Sequence, residues 1–261
     1  MERVEAARRI ASLLQDAVIR SATGKPALLF SGGVDSTTIA VILKRAGVAF
    51  RCFSVGFDGA EDTAFAAEAA AELGLPHEHV TITLESLEKE LPAIAKTIPD
   101  NNVVKTGVGI VMWFGMRAAE KAGADTVITG LGSEELFAGY ERHAQAEDVN
   151  EACREGLQAI RSRDLDRDEA IAKHFHLNVA LPFLDPALVE FAMQLPGEWK
   201  LSGEGNKLIL RDAAAMLGVP DRFAFRKKRA AQYGSKADWA LEKLARKHGF
   251  KLKSDYVGAL S

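Results

Sequence analysis

Apolar residues recur at helical spacing through the first twenty positions. Val4, Ala7, Ile10, Ala11, Leu14, Ala17 and Val18 share one face, with Arg and Glu between them, which predicts an amphipathic helix over 2–20. A short apolar run, Ala27-Leu28-Leu29-Phe30, then stops at Gly32-Gly33. Such a run predicts a strand, a tight turn and the start of a helix, which extends to about Arg45 and ends at Gly47. Phe50–Phe57 reads as a second strand, and an Ala-rich helix over 61–73 is closed by Gly74 with Pro76 behind it. His77–Thr83 alternates into a third strand, and a helix covers roughly 85–97. Pro99-Asp100-Asn101-Asn102 breaks the chain before a long helix from about Gly107 to Ala122, and Asp125–Thr129 supplies a fourth strand. Beyond Tyr140 the spacing is helical with few strand signals as far as about 246. The residues from 247 read as a basic, loosely ordered tail.

Strands alternating with helices at this pitch predict an α/β fold with a doubly wound parallel sheet. The expected organisation is a single domain over 1–261, with an α/β core at 1–145 and a C-terminal helical lobe at 146–261. Ligands of such sheets bind beyond the carboxyl ends of the strands. Ser31–Ser36, Val55–Asp58 and Gly130–Glu135 fall at those ends and are expected to meet in one crevice.

Composition adds mainly exclusions. Of 261 residues, 48% are hydrophobic and 26% charged, with a net charge of −3, values ordinary for a globular chain and without the basic excess that marks nucleic-acid binders. The two cysteines, Cys52 and Cys153, form no Cys-x-x-Cys pair, which argues against a zinc site or disulfide scaffold. They are read as buried apolar residues. No leader and no bilayer-length apolar stretch is evident, so neither a membrane nor a nucleic acid is expected as partner, and the cytoplasm is the default location.

The chemistry concentrates in Ser31-Gly32-Gly33-Val34-Asp35-Ser36. Unpaired N–H groups at a helix start attract an anion, and glycine lets the backbone approach a phosphate. Ser31 and Ser36 add hydroxyls, and Asp35 adds a carboxylate able to hold Mg²⁺. A Walker loop is longer and ends in Lys followed by Ser or Thr; that spacing is absent here. The plain alternative is a Gly-Gly turn between strand and helix. A second compact motif, Gly130-Leu131-Gly132-Ser133-Glu134-Glu135-Leu136-Phe137-Ala138-Gly139-Tyr140, supplies carboxylates to face Asp35, or else only favours the dipole of a capped helix.

The first motif resembles the signature of the PP-loop ATP pyrophosphatases, which split ATP between the α- and β-phosphates. With the second motif, the chain is similar to the synthetase domain of the asparagine synthetases, and close to the asparagine synthetase domain-containing proteins. Leu181-Pro182-Phe183-Leu184-Asp185, Lys207-Leu208-Ile209-Leu210-Arg211 and Lys228-Arg229-Ala230-Ala231-Gln232-Tyr233-Gly234-Ser235 continue the likeness. The resemblance implies an adenine nucleotide alpha hydrolase-like fold and an ATP-dependent, AMP-forming ligase that uses ATP and Mg²⁺ to adenylate a small carboxylate, with aspartate the nearest guess, for attack by ammonia or an amine. Position by position, Ser31, Gly32, Gly33, Asp35 and Ser36 would hold the pyrophosphate, and Asp35 and Glu134 the Mg²⁺. Ser54, Val55, Gly56 and Gly130 would line the adenosine pocket, and Lys228 would meet the reacting phosphates.

Two departures stand out. Leu131 replaces the glutamate that helps ammonia attack in those synthetases, and Asn178-Val179-Ala180 replaces the usual Glu-Ala-Arg. The chain begins Met1-Glu2-Arg3 and shows no N-terminal glutaminase domain, so ammonia is expected free or from a separate glutaminase subunit. Two alternatives remain: a different adenylating amide or amidine ligase, and a nucleotide-binding regulatory subunit with little turnover. A homodimer is one of the assemblies left open.

Overall fold

The structure is a computed structural model and describes residues 1–100, 102–225 and 230–260. Helix α1 (Arg3–Ser21) precedes strand β1 (Pro26–Leu29), and α2 (Val34–Arg45), β2 (Arg51–Phe57), α3 (Glu61–Glu72) and β3 (His77–Ile82) follow. The chain then crosses the sheet through α4 (Leu84–Thr97) and α5 (Val103–Lys121) to reach β4 (Thr126–Ile128). These elements occur where the apolar pattern places them, apart from the ends. Helix α5 begins at Val103 rather than near Gly107, because the Asn102 side chain accepts the Lys105 N–H at 2.9 Å and caps the helix early. Val4 is 52% exposed, and Ala6 and Leu13 join the buried face instead.

After β4 come α6 (Ser133–Leu136), α7 (Glu141–Ala144) and α8 (Val149–Ile160), which runs through a π-helical turn at Arg161–Leu165 into α9 (Asp166–His174). The next element corrects the sequence reading: β5 (Asn178–Ala180) arises within the stretch expected to be helical and pairs with β4. Helices α10 (Pro186–Met193), α11 (Gly197–Lys200), α12 (Leu208–Met216), α13 (Asp221–Ala224), α14 (Ala231–Gly234), α15 (Ala237–Lys247) and α16 (Lys253–Gly258) complete the chain. Helix α16 is a second correction. Tyr256 and Val257 are buried in the core, and the His248 ring stacks on Tyr256 at 5.3 Å, so the residues after 247 are packed rather than loose. Their basic neighbours hide this in the sequence; Lys247 and His248 are both satisfied by Glu88, at 2.6 and 2.7 Å.

These five strands form one sheet in the order β3-β2-β1-β4-β5, and every neighbouring pair in it is parallel; a separate two-stranded antiparallel ribbon joins Leu201–Ser202 to Gly205–Asn206 ahead of α12. Alternation along β2 sends Cys52 into one core, with Ile10, Leu14, Ile39 and Leu210, and Phe53 into the other, with Leu91, Trp113 and Phe114. Helices therefore cover both faces, as a parallel sheet requires. Strand β1 is central: β2 leads away on one side and β4 on the other, so the order reverses between β1 and β4, where Leu28 pairs with Ile128. A crevice outside the carboxyl ends at such a reversal is where this architecture binds ligands. Cys52 and Cys153 are buried and unbridged, and burial pushes the Cys52 thiol up to about 12. Among the described residues no helix is long and apolar enough to cross a membrane.

One buried cation is a local weakness. Lys200, at the end of α11, is fully buried, and its Nζ has no hydrogen-bond partner among the described residues. Burial lowers its pKa from 10.5 to about 8. The unfolded chain therefore holds that proton more tightly, and folding stability falls as pH drops from about 10.5 through about 8. At pH 7 the loss is essentially complete, on the order of 3 kcal/mol for a shift of this size. Lys200→Met is expected to raise the melting temperature at pH 7, with the gain shrinking in melts above pH 9. A variant less stable than the parent at pH 7 would contradict this account.

Candidate active site

Residues 31–36 turn the chain from β1 into α2. Gly32 has a φ of 69°, and a Cβ there would lie 2.9 Å from the Phe65 ring and 3.2 Å from the Ala66 backbone. Only glycine meets both the conformation and the close approach. The turn braces itself: the Ser36 hydroxyl accepts the Ser31 N–H at 3.2 Å, donates to the Gly33 carbonyl at 3.3 Å and lies 3.3 Å from the Ser31 hydroxyl. Gly33 then caps α2 without a side-chain hydrogen bond, at the positive end of the helix.

Asp35, 8% exposed in the first turn of α2, lies against the loop that follows β4. A Cβ on Gly130 would approach the Asp35 Cβ to 2.9 Å, so the bare backbone of that loop lets the two segments touch. Gly132, at φ 99°, turns the loop into α6 and places Ser133 and Glu134 on its first turn. Asp35, Ser133 and Glu134 then converge on one atom. The Lys207 Nζ donates to both Asp35 oxygens at 2.9 and 2.8 Å and to the Ser133 hydroxyl at 3.1 Å, and it lies 2.8 Å from the Glu134 Oε1. Lys207 is 4% exposed. Burial alone would lower its pKa, but the two carboxylates more than offset that and hold it above the ordinary value. The carboxylates thus face each other as the sequence reading expects, with a lysine that reading gave no role between them.

The surroundings fix this arrangement. Lys207 has a φ of 54°, a left-handed conformation that strains a residue carrying a Cβ and persists only where its neighbours enforce it. Its N–H donates to the Phe137 carbonyl at 3.1 Å. The next anchor is Asn206, whose Nδ2 donates to the Gly139 carbonyl at 2.8 Å, while Arg211 grips its carbonyl and its Oδ1 at 2.7 and 2.9 Å. Arg211 also donates to the Ala224 carbonyl. Gly139 closes the floor: a Cβ there would stand 1.6 Å from the Glu134 Oε2 and 2.4 Å from the Lys207 Cε. Behind Glu134, the carboxylate of Glu135 is fully buried and paired with Arg163, which projects from the π-helical turn. Burial raises the Glu135 pKa against the pull of Arg163. Glu135 is therefore an internal strut, closed off from incoming reactants.

The remaining sequence-derived positions divide. Ser54, Val55 and Gly56 lie on β2 one strand from the loop, beyond the pairing of Leu29 with Phe53. The Ser54 hydroxyl is engaged by His77 Nε2 at 2.8 Å and His79 Nδ1 at 3.3 Å, and the Val55 side chain belongs to the α5 core. Gly56 is packed under Thr63, Ala60 and the Ser235 carbonyl, which also accepts the Phe57 N–H at 3.0 Å. What this segment presents to a ligand is main chain. Lys228 lies outside the described residues. Leu131 is half-buried in the turn after Gly130, its N–H 3.4 Å from the Thr129 hydroxyl, and Ala180 ends β5 with its carbonyl accepting the Thr129 N–H at 3.2 Å.

The donor set suits a small divalent cation. Two carboxylates and a hydroxyl already surround a single cationic atom, all are hard oxygen ligands, and Mg²⁺ is typically held by one or two carboxylates together with substrate phosphates. Asp35 and Glu134 would hold it.

The asparagine synthase family model matches this chain over residues 9–154 and 142–256. A Methanocaldococcus jannaschii protein assigned by name to the glutamine-hydrolysing asparagine synthetases is 29% identical over 293 aligned residues, covering 95% of this chain and 53% of that protein. Asparagine synthetase domain-containing protein 1 of Mus musculus is 34% identical over 181 residues, covering 60% of this chain and 29% of that protein. The chain thus spans about half the length of the first of these curated relatives and less of the second. Among solved structures, NMN synthetase from Francisella tularensis superposes with a TM-score of 0.49 at 14% identity, covering 100% of this chain and 93% of that one. Matched by the family model on both sides of the Asp35–Glu134 crevice, this chain belongs to the asparagine synthase family.

Proposed function

We propose that the protein is an ATP-dependent amide ligase that cleaves ATP between the α- and β-phosphates, adenylates a carboxylate and passes the acyl group to ammonia or an amine. The observation that carries this reading is the convergence of Asp35 and Glu134 on one cation at the sheet reversal, beside a glycine turn that opens α2 at its positive end. The glycine turn and the start of α2 would cradle the polyphosphate, with Ser31, Gly32, Gly33 and Ser36 supplying its N–H and hydroxyl groups. Main chain from Ser54–Gly56 and Gly130 would flank the nucleoside. Bound Mg²⁺ would offset phosphate charge. Lys228 is assigned to the reacting phosphates, where a cation stabilises charge that grows as the bond breaks.

Aspartate is the nearest acyl substrate by family membership, but a second reading draws on two side chains. Leu131 and Ala180, both beside the loop after β4, put apolar groups where the asparagine synthetases carry an acid and an arginine. An uncharged wall there favours a different adenylating ligase, with a carboxylate substrate less polar than aspartate.

The test uses α-labelled ATP with a panel of carboxylates, with and without ammonia. AMP and pyrophosphate are expected in equal amounts, dependent on one carboxylate. ADP with orthophosphate would overturn the reading, and Mg-ATP binding without cleavage under any condition would point to a regulatory nucleotide-binding protein.

A further inference from the structure

Lys207 raises a question that its position alone answers in part. An ammonium with two carboxylate partners and a hydroxyl, 4% exposed, sits where a divalent cation held by Asp35 and Glu134 would have to sit. Two cations do not share that volume. At 2.8 Å from one oxygen of each carboxylate, Nζ lies at the centre of the donor set. The space around it is closed, since one extra carbon on Gly139 would collide with both Glu134 and the Lys207 stem. The anchor of this lysine is stiff and its arm is not. The strained backbone at φ 54° is held by the Phe137 carbonyl and by the Asn206–Arg211 clamp, while four rotatable bonds let the ammonium move several ångströms.

We infer that Lys207 is a built-in surrogate for the metal: its ammonium fills the site while no nucleotide is bound and must swing off the carboxylates for a divalent cation to enter. This rests on the reading of Asp35 and Glu134 as the metal carboxylates. Tethered to the same chain, the ammonium competes at a high effective concentration, so a divalent cation alone binds weakly. Charge decides where the arm goes. Leaving the carboxylates without an anion to receive it would strand a buried ammonium, which is costly. A polyphosphate at the Ser31–Ser36 turn, which leads directly into Asp35, supplies that anion. Lys207 then exchanges two carboxylates for phosphate oxygens in the same event that admits the metal. Metal and nucleotide consequently strengthen each other's binding by the same factor, as linkage requires. The device keeps the carboxylates neutralised in the resting protein and opens the metal site only when there is a nucleotide to use it.

The experiment measures Mn²⁺ binding by electron paramagnetic resonance, with and without the α,β-methylene analogue of ATP. In the wild-type protein the analogue is expected to tighten Mn²⁺ at least tenfold. In Lys207→Met, Mn²⁺ alone is expected to bind at least tenfold more tightly than in wild type, and the analogue to add little. Thermal melts accompany the titrations: Mn²⁺ alone should raise the melting temperature of Lys207→Met more than that of wild type, because the metal replaces a missing ammonium. Should the variant fail to fold, the wild-type titration still decides, since equal Mn²⁺ affinity with and without the analogue overturns the inference. Unchanged metal-only affinity in a folded Lys207→Met also overturns it. The labelled-ATP assay separates the two readings: AMP formation without Mn²⁺–nucleotide coupling sinks the surrogate and keeps the ligase, whereas coupling without AMP formation keeps the surrogate and sinks the ligase.

Discussion

Gly139→Ala is expected to remove ATP-dependent turnover while leaving the protein folded. The added methyl would stand 1.6 Å from the Glu134 Oε2 and 2.4 Å from the Lys207 Cε, separations no pair of heavy atoms tolerates. Both of those atoms belong to the far ends of flexible side chains, so the clash is relieved by swinging them aside rather than by moving main chain. The two hydrogen bonds that hold the Gly139 backbone, from its N–H to the Glu134 carbonyl at 2.9 Å and to its carbonyl from Asn206 at 2.8 Å, use main-chain groups that alanine also carries. The cost therefore falls on the site: displacing a carboxylate or a cation by about 1 Å is enough to cost ~10²-fold in rate. Turnover is expected to drop at least that far, with a loss of about 1–2 kcal/mol in stability as the overpacking term. Gly203→Ala serves as the control, since nothing lies within 4 Å of a Cβ there. Steady-state kinetics beside urea melts decide the matter. A folded Gly139→Ala with activity near wild type would mean that Glu134 does not work from this position.

What the sequence made legible, and what it hid, follows from the range of the interactions. The turn at Gly32-Gly33 and the first four strands were readable because each is a local pattern: a short apolar run, a glycine stop and a helical repeat within a few residues. Strand β5 was not, because its three residues are too few to show a period and its pairing partner, β4, lies some fifty residues away in the chain. The order of α16 depends on two apolar residues, Tyr256 and Val257, set among charges whose partners Glu88 and Asp238 sit on other helices.

The site divides in the same way. Asp35 and Glu134 announced themselves through glycine-rich turns. Lys207 did not, because its meaning comes from carboxylates 172 and 73 positions away, the second by the difference between 207 and 134. A signal was nevertheless present. Lys207 and Arg211 are cations one helical turn apart, flanking the apolar Leu208-Ile209-Leu210. Cations embedded in a run bound for the core need anionic or carbonyl partners, and these two have both. The sequence also could not show that the Ser54 hydroxyl is engaged by His77 and His79 across the β2–β3 pairing, which leaves the main chain as what this segment offers a ligand.

Leu131→Glu is expected to raise ammonia-dependent product formation about 10²-fold, provided the acyl-adenylate forms in the wild-type protein. The position follows Gly130, which touches Asp35, and precedes Gly132, so a residue there stands beside the proposed metal and phosphate site. Leucine can neither take a proton from an incoming amine nor orient it, whereas a carboxylate can do both, and general-base assistance is worth ~10²–10⁴-fold. Glu135 cannot stand in for it, being fully buried and tied to Arg163. The cost of the substitution is moderate, because Leu131 is half-buried and a carboxylate there keeps part of its hydration. Two measurements separate the outcomes. Pyrophosphate exchange reports the first half-reaction and is expected to be little changed, while amide formation from ammonia is expected to rise; gain in the second without the first locates the effect after adenylation. If wild type already forms the amide efficiently and Leu131→Glu slows it, Leu131 belongs to a pocket shaped for an apolar substrate, and the uncharged wall formed with Ala180 becomes the determinant of what is adenylated.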